Sequence, residues 1–423
     1  MTRFSHYLSL ICLSLYLLGG VRAVPFHADE ALHLMLAQDY AAYFVLHDPG
    51  RLSVQPPLAI DSTPYSRLLS GTVSAYLAGA MLWHTGQSLH DWPQGWYFPQ
   101  PIAWNREEGR YPSESVLWRG RLASSLATLV GLWALYALAR TVRGEGAGLW
   151  AAVLYALHPM ILLNGRRVMQ EGALLLATLL LLWWAGRVLA RPRLGRWLGL
   201  GLLAGIALAV KPTALIALAG VGLGLLGQWR HWRYIMIAIG MAGVVFMLLT
   251  PSIWGNPLQH LWLAARLRAE ALEGQTAASQ MGYDGWPERL AALALQPFPS
   301  TIQYYESPNF AQDAALQADI RAYDSSWWAG LALPSPLGLG LAGLGALSLL
   351  RLAPYPPQAR LTLLWVGLTG LALALSVPLA WGRYYLPWTL AMILLAGLGA
   401  DMLRSAVWNA ARSLPNRTFV PWP

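Results

Sequence analysis

The sequence predicts an all-α polytopic membrane protein, with about ten transmembrane helices and one interfacial helix in its first outward loop. Three observations carry the membrane assignment. The 423-residue chain is 56% hydrophobic and only 12% charged, about half the charged share of an ordinary soluble domain. Its apolar residues gather into charge-free runs of the length that crosses a hydrocarbon core. Many of its 22 Trp residues stand beside the ends of those runs, as an interfacial aromatic belt does. Forty glycines suit close helix packing in lipid.

The runs fall at 7–24, 122–138, 148–163, 172–186, 197–210, 212–228, 234–250, 329–350, 361–380 and 384–403. A further run, 68–83, could cross or lie flat. The excess of basic residues in cytoplasmic loops decides the threading. With a cytoplasmic N-terminus and 68–83 not crossing, Arg3, Arg140, Arg143, Arg187, Arg191, Arg193 and Arg196 fall on the cytoplasmic side. Arg230, Arg233, Arg351, Arg360, Arg404, Arg412 and Arg417 join them. If 68–83 crossed, every later loop would change sides. Ser70, Thr72, Ser74, Tyr76 and His84 make that run amphipathic enough to lie in the interface. A single helix over 197–228 would measure ~48 Å at ~1.5 Å per residue, too long for a ~30 Å core. Pro212 therefore breaks it into a hairpin with Lys211 at its outer tip.

The chain reads as one membrane-embedded domain over 1–423, with outward segments 26–118 and 251–328 and no internal repeat. Arg3, an apolar stretch and Arg22-Ala23-Val24-Pro25 also fit a cleaved leader, but cleavage would detach Asp29-Glu30 from its anchor. The single Cys12 permits no intrachain disulfide and no cysteine metal cluster. The net charge of +9 comes from arginines scattered at helix ends. No nucleic-acid motif or phosphate-cradling glycine loop accompanies them, so no nucleic-acid partner is expected.

His27-Ala28-Asp29-Glu30 follows the first run, and two carboxylates at a helix mouth are costly without a task. The threading puts further charges on the same face. Asn164-Gly165-Arg166-Arg167-Val168-Met169-Gln170-Glu171 is the short outward loop before the fourth run. Lys211 is the hairpin tip, and Trp381-Gly382-Arg383-Tyr384-Tyr385-Leu386-Pro387 is the last outward loop. Arginine and lysine neutralise phosphate, and a carboxylate can act as general base on a hydroxyl. A second carboxylate can hold a divalent cation or position an acceptor. Singly, each residue has a structural reading: a solvated cap for Asp29-Glu30, lipid headgroup binding for Arg166 and Arg167, snorkelling for Lys211. A helix-start charge for Glu171 and an interface anchor for Arg383 complete that set. Their gathering on one face favours a site.

At these residues the sequence resembles the membrane glycosyltransferases of the protein O-mannosyltransferase type and their relative, the lipid A aminoarabinose transferase, in the GT-C superfamily. The likeness runs from His27 to Pro387 as an ordered set of short matches. These are Asp29-Glu30 after the first span, Arg119 or Arg121 before Leu122-Ala123-Ser124-Ser125, and His158-Pro159 leading to Arg166 and Glu171. They continue with Lys211 after a Gly-rich span, Pro251-Ser252-Ile253-Trp254-Gly255-Asn256-Pro257, and Arg383-Tyr384-Tyr385-Leu386-Pro387. The resemblance implies inverting sugar transfer from a polyprenyl-phosphate donor to a hydroxyl of a protein, lipid or glycan acceptor. It places this at the extracytoplasmic face of a bacterial plasma membrane. By position, Asp29 would be the base with Glu30 in support, and Arg166, Lys211 and Arg383 would hold the donor phosphate. Glu171 would serve the acceptor or, with Asp29, a divalent cation (Mg or Mn). Glu171 stands where relatives often carry Asp. The 91–111 insertion has no counterpart in the family. It and the second outward segment, with Tyr304-Tyr305-Glu306, are the candidates for shaping the acceptor side, and Tyr384 is a further substrate-side candidate.

Two other classes remain open from the sequence: a transporter or flippase for an anionic solute or lipid, and a non-catalytic sugar- or lipid-binding relative. A transporter would carry charge near the bilayer midplane on broken helices, whereas the run interiors here are nearly charge-free.

Overall fold

The computed structural model describes residues 3–60, 62–278, 281–351 and 356–413. Among these the regular structure is helical, with one isolated antiparallel bridge between Gly282 and Leu379. In chain order the principal helices are α1 (Arg3–Gly19), α2 (Ala28–Leu36), α3 (Thr63–Leu69), α4 (Thr72–His84), α5 (Glu114–Arg143), α6 (Glu145–Leu157) and α7 (Pro159–Arg166). There follow α8 (Glu171–Ala190), α9 (Leu194–Val210), α10 (Ala214–Leu225), α11 (Trp232–Leu249) and α12 (Pro257–Ala278). The last five are α13 (Trp286–Leu295), α14 (Ala314–Asp324), α15 (Ser335–Arg351), α16 (Pro357–Ser376) and α17 (Leu386–Ser413).

Each of the ten apolar runs is helical, but a count of ten spans is not established by length. Among the described residues five helical stretches are long and apolar enough to cross a membrane, or six if α6 and α7 are one span bent by 64°. α1, α9 and α15 are apolar but shorter. The α6–α7 bend falls at His158-Pro159, where Pro opens the second helix as its first-turn residue. The expected interfacial helix is α4, whose 13 residues reach only ~20 Å at ~1.5 Å each. It packs chiefly on α5.

The hairpin expected at Lys211-Pro212 is splayed rather than closed. α9 packs against α11 and α8, while α10 packs against α16. Its arms find better partners elsewhere, because each needs an apolar neighbour and the other arm supplies few contacts.

Charge segregates to the two ends of the bundle. At the end holding the N-terminus of α1, Glu145 pairs with His6 at 3.4 Å and Arg140 at 3.2 Å, and Asp401 pairs with Arg143 and Arg404. The opposite end carries Asp29 and its neighbours. Between them the core is aliphatic and aromatic, centred on residues such as Leu135, Leu182, Trp197 and Trp365.

Small residues set a close helix crossing between α15 and α17. A Cβ on Gly345 would lie 1.9 Å from the Leu395 carbonyl oxygen, and one on Gly399 1.9 Å from that of Leu341. Gly345→Ala is therefore expected to lower the thermal midpoint in nanodiscs, by the equivalent of about 1–3 kcal/mol. Gly343→Ala, on the same helix with nothing within 4 Å of its Cβ position, should leave it unchanged.

Candidate active site

α2 presents the acids, and its own cap explains their arrangement. His27 is the N-cap: its Nδ1 accepts from the Asp29 N–H at 3.1 Å, and its own N–H donates to Glu30 Oε2 at 3.1 Å. This is a reciprocal capping box with histidine in the place usually taken by Ser or Thr. Because Nδ1 accepts, Nε2 carries the proton, and it meets Glu306 Oε2 at 2.7 Å.

The two adjacent acids then diverge. Glu30 points inward and is fully buried. Arg121 of α5 grips it with two bonds of 2.7 Å, and the Val168 N–H donates to Oε1 at 3.0 Å. Arg121 also donates to the Val24 carbonyl at 2.7 Å. Burial alone would raise the Glu30 carboxyl, but Arg121 outweighs it and holds it below the ordinary range. Its oxygens are fully engaged, so Glu30 braces α2 against α5 and the 167–168 strand of backbone.

Asp29 points the other way, to a partly open mouth, and is bonded by Arg383 Nη1. Arg383 Nε lies 3.0 Å from Glu306 Oε1. Arg383 thus sits between two carboxylates. Burial would raise both acids, but Arg383 first and His27 second pull them down, Asp29 well below the usual range and Glu306 to about 2. The loop before α17 is held for this. The Gly382 N–H donates to Gln303 Oε1 at 2.6 Å, and Tyr283 N–H and Ala380 N–H form bonds of 2.9 Å across the bridge to the second segment.

The second pair is Lys211 Nζ to Glu171 Oε1 at 2.8 Å, joining the tip after α9 to the first residue of α8. The other Glu171 oxygen, Oε2, is buried without a partner. Between the two pairs stands His33, one helical turn beyond Asp29. It feels the charges of Asp29, Glu171, Lys211 and Arg383, but burial outweighs the acids and lowers its pKa, leaving a neutral imidazole with a bare Nδ1. The mouth therefore holds Asp29, His33, Glu171, Lys211, Arg383 and Glu306.

Arg166 is not among them. Expected at a loop that holds donor phosphate, it ends α7 and is fully buried. Its guanidinium donates to the carbonyls of Leu17 (2.9 Å), Tyr16 (3.0 Å) and Trp328 (2.5 Å) and to Tyr323 Oη (3.1 Å). Arg167 is likewise spent on the Pro25 and Tyr304 carbonyls. Two arginines facing the bundle interior must satisfy their donors there, so they staple α1 and α7 to the second segment.

The substrate-side tyrosines separate too. Tyr304 is buried and donates to Asp324. Tyr305 Oη accepts from Gln317 at 3.3 Å. Tyr384 stays at the mouth: its ring lies under Arg383, its hydroxyl donates to Gln275, and Arg268 of α12 lies 3.5 Å from that hydroxyl.

His33 escaped the sequence reading, and Glu306 entered it only as part of the Tyr304-Tyr305-Glu306 stretch, with no role of its own. His33 had a signal, since a helix running through 29–33 would put Asp29 and His33, four apart, on one face. Glu306 is 277 residues from Asp29 and had none beyond standing after Tyr304-Tyr305.

Asp29 and Glu171 were the candidate ligands for a divalent cation. Each already pairs with a cationic side chain, and among the described residues no group of three or more His, Cys, Asp or Glu could hold a metal ion. Arranged in this way, with Arg383 and Lys211 on the two acids, the donor set does not fit such an ion.

Residues 113–254 match the family model of the dolichyl-phosphate-mannose-protein mannosyltransferases. Among curated proteins, none matches the chain. The fold resembles that of ArnT from Cupriavidus metallidurans bound to undecaprenyl phosphate, with a TM-score of 0.53 and 14% identity over 97% of this chain and 62% of that one. The fold is GT-C. The Archaeoglobus fulgidus oligosaccharyltransferase in its apo form also shares it, with a TM-score of 0.53 and 14% identity over 97% of this chain and 52% of that one. That enzyme is also known in complex with Zn and sulfate, with a TM-score of 0.50 and 12% identity over 96% of this chain and 51% of that one. This chain thus spans about 62% and 52% of the length of these two relatives. The GT-C resemblance read from the ordered motifs is borne out.

Proposed function

We propose that this protein transfers a sugar from a polyprenyl-phosphate donor to an acceptor hydroxyl, with inversion, at the extracytoplasmic face of a bacterial plasma membrane. The observation that carries this reading is the Asp29–Arg383–Glu306 cluster: an ionised carboxylate at an open mouth, shared with a cation that a phosphate can claim. The family match and the relative bound to undecaprenyl phosphate support the donor class.

The chemistry follows from the charges. The donor phosphate brings negative charge to a mouth lined by Arg383, Lys211 and, at its rim, Arg268. As Arg383 turns to the phosphate it leaves Asp29, and losing that neighbour raises the carboxylate's proton affinity. Asp29 Oδ then takes the acceptor proton while the acceptor oxygen attacks the sugar C1 from the face opposite the phosphate. The C1–O bond breaks, and the electron pair leaves on the phosphate oxygen, where the fixed cations stabilise it. Glu306 keeps Arg383 oriented throughout, and His33 separates the two carboxylates without adding charge.

Lys211→Ala is expected to weaken donor binding, with KM for a polyprenyl-phosphate sugar rising roughly 10- to 150-fold, the loss of one charge-assisted contact of roughly 1.5–3 kcal/mol. Arg166→Gln should instead lower thermal stability and leave KM of the remaining folded protein unchanged. The measurement is donor turnover by purified protein in nanodiscs across a panel of polyprenyl-phosphate sugars. No turnover of any donor would overturn the reading.

A further inference from the structure

The 91–111 insertion, which lies outside the family match at 113–254, builds a second pocket beside α2. It encloses about 430 Å³, within the range of ordinary small-molecule sites. Leu32 and Met35 line it from α2, and Tyr97 and Phe98 line it from the insertion. Asp29, Leu32 and Met35 are the partly open positions of an otherwise buried α2. The pocket thus begins on the same stripe as Asp29, ~4.5 Å further along the helix axis. The back wall reaches the same place, since the Trp96 ring packs on Phe26, two residues before the helix, at 5.4 Å between centroids.

Its chemistry is mixed in a particular way. Tyr97 and Phe98 offer exposed ring faces at 39% and 43%. Trp92 and Trp96, 5% and 4% exposed, line it as well, and their indole N–H groups have no acceptor in the protein. The Nε–H of Arg110 is likewise bare, and among the described residues no carboxylate pairs with this guanidinium. Buried donors are normally satisfied. Three in one pocket call for a ligand rich in acceptor oxygens. Flat rings beside bare N–H donors suit a sugar, with its C–H faces and hydroxyl oxygens. They do not suit a prenyl tail, which offers no acceptor.

The pocket is also held in shape. Asn105 is fully buried. It accepts from the Tyr97 N–H at 3.0 Å and donates to the Tyr97, Gln100 and Pro101 carbonyls at 3.1–3.3 Å. Gly95 approaches Met35 so closely that a Cβ would lie 2.7 Å from its sulfur. Arg110 Nη1 donates to the Gly95 carbonyl at 2.6 Å.

We propose that this pocket binds the saccharide of a glycan-bearing acceptor, preferring an acidic sugar through Arg110, and presents a free hydroxyl of that sugar to Asp29. This rests on the transferase reading above, which left the acceptor class open.

The test is saturation-transfer NMR on nanodisc-embedded protein, titrated with neutral and uronic-acid-containing oligosaccharides. Binding is expected, tighter for the acidic probes. Tyr97→Ala with Phe98→Ala should weaken it at least tenfold, and Arg110→Gln should abolish the acidic preference. Asn105→Ala, a positioning change, should weaken neutral and acidic probes alike. The exposed Glu107→Gln should bind within twofold of the parent. No oligosaccharide binding, binding unmoved by the Tyr97/Phe98 variant, or binding of a Ser/Thr peptide in its place would overturn the proposal. The two readings fail separately. Glycan binding with no donor turnover sinks the transferase and spares the pocket. Sugar transfer onto an acceptor with no glycan binding does the reverse.

Discussion

Asp29→Asn is expected to reduce sugar transfer by roughly 10²–10⁴-fold, the usual contribution of a general base, in a protein that stays folded. The amide matches the carboxylate in shape but cannot take the acceptor proton. Folding survives because Arg383 keeps its second carboxylate, Glu306, and because the α2 cap uses the Asp29 N–H rather than its side chain. Donor affinity should hold or rise, since one competitor of the phosphate for Arg383 has been removed. Separate measurement of KM and kcat reads this split, and near-normal turnover would refute the base assignment.

The pH profile adds a second check. Burial raises the Asp29 carboxyl, but Arg383 and then His27 overcome it and hold it well below the ordinary range. The kcat/KM profile reports groups of the free enzyme. It should therefore show no acid limb from Asp29 between pH 5 and 8, because the base is already ionised there. The kcat profile reports the donor complex, where Arg383 has turned away, and its acid limb should lie at higher pH. An acid limb at the same pH in both profiles would contradict the exchange of Arg383 between carboxylate and phosphate.

Glu30→Ala should destabilise the fold by about 3–5 kcal/mol, the cost of leaving a buried charge unpaired. Arg121 would lose two bonds of 2.7 Å inside the protein, and the Val168 and His27 N–H groups would lose their acceptor. Loss of folded protein in size-exclusion and thermal assays is the expected result. Glu30→Leu with Arg121→Met should recover part of the stability, because no bare charge remains, though the two N–H groups stay unmatched. A fully stable Glu30→Ala protein with reduced turnover would instead make Glu30 a participant in the reaction. The sign of the pH effect follows from its lowered pKa. Glu30 contributes its full stabilisation above the unfolded carboxyl value of about 4.3. That contribution falls away as pH drops through the lower folded value.

Most of the membrane architecture could be read along the chain. The apolar runs became helices and Pro212 marked a turn, whereas the bend at Pro159 lay unread inside the 148–163 run. Of the loop arginines, Arg140, Arg143 and Arg404 form their ion pairs at the end opposite Asp29, and Arg417 lies outside the described residues. The site was legible in part. Asp29, Glu171, Lys211 and Arg383 do meet at one end of the bundle. Arg166 was misplaced because an arginine five residues before a helix acid looks the same whether its guanidinium faces a mouth or a bundle interior. Its four acceptors come from residues 16, 17, 323 and 328, none of them near it in sequence.

The division has a physical basis. Partition of apolar side chains between water and lipid, and the pull of basic loops to one side, are sums over neighbouring residues. A linear reading therefore recovers helices and which end of the bundle each charge occupies. Whether a charge is free or spent depends on which distant carbonyl or carboxylate lies within ~3 Å of it. Only packing decides that. Glu30 and Asp29 are adjacent in the chain, yet a 100° turn of helix sends one to a buried brace and the other to the open mouth.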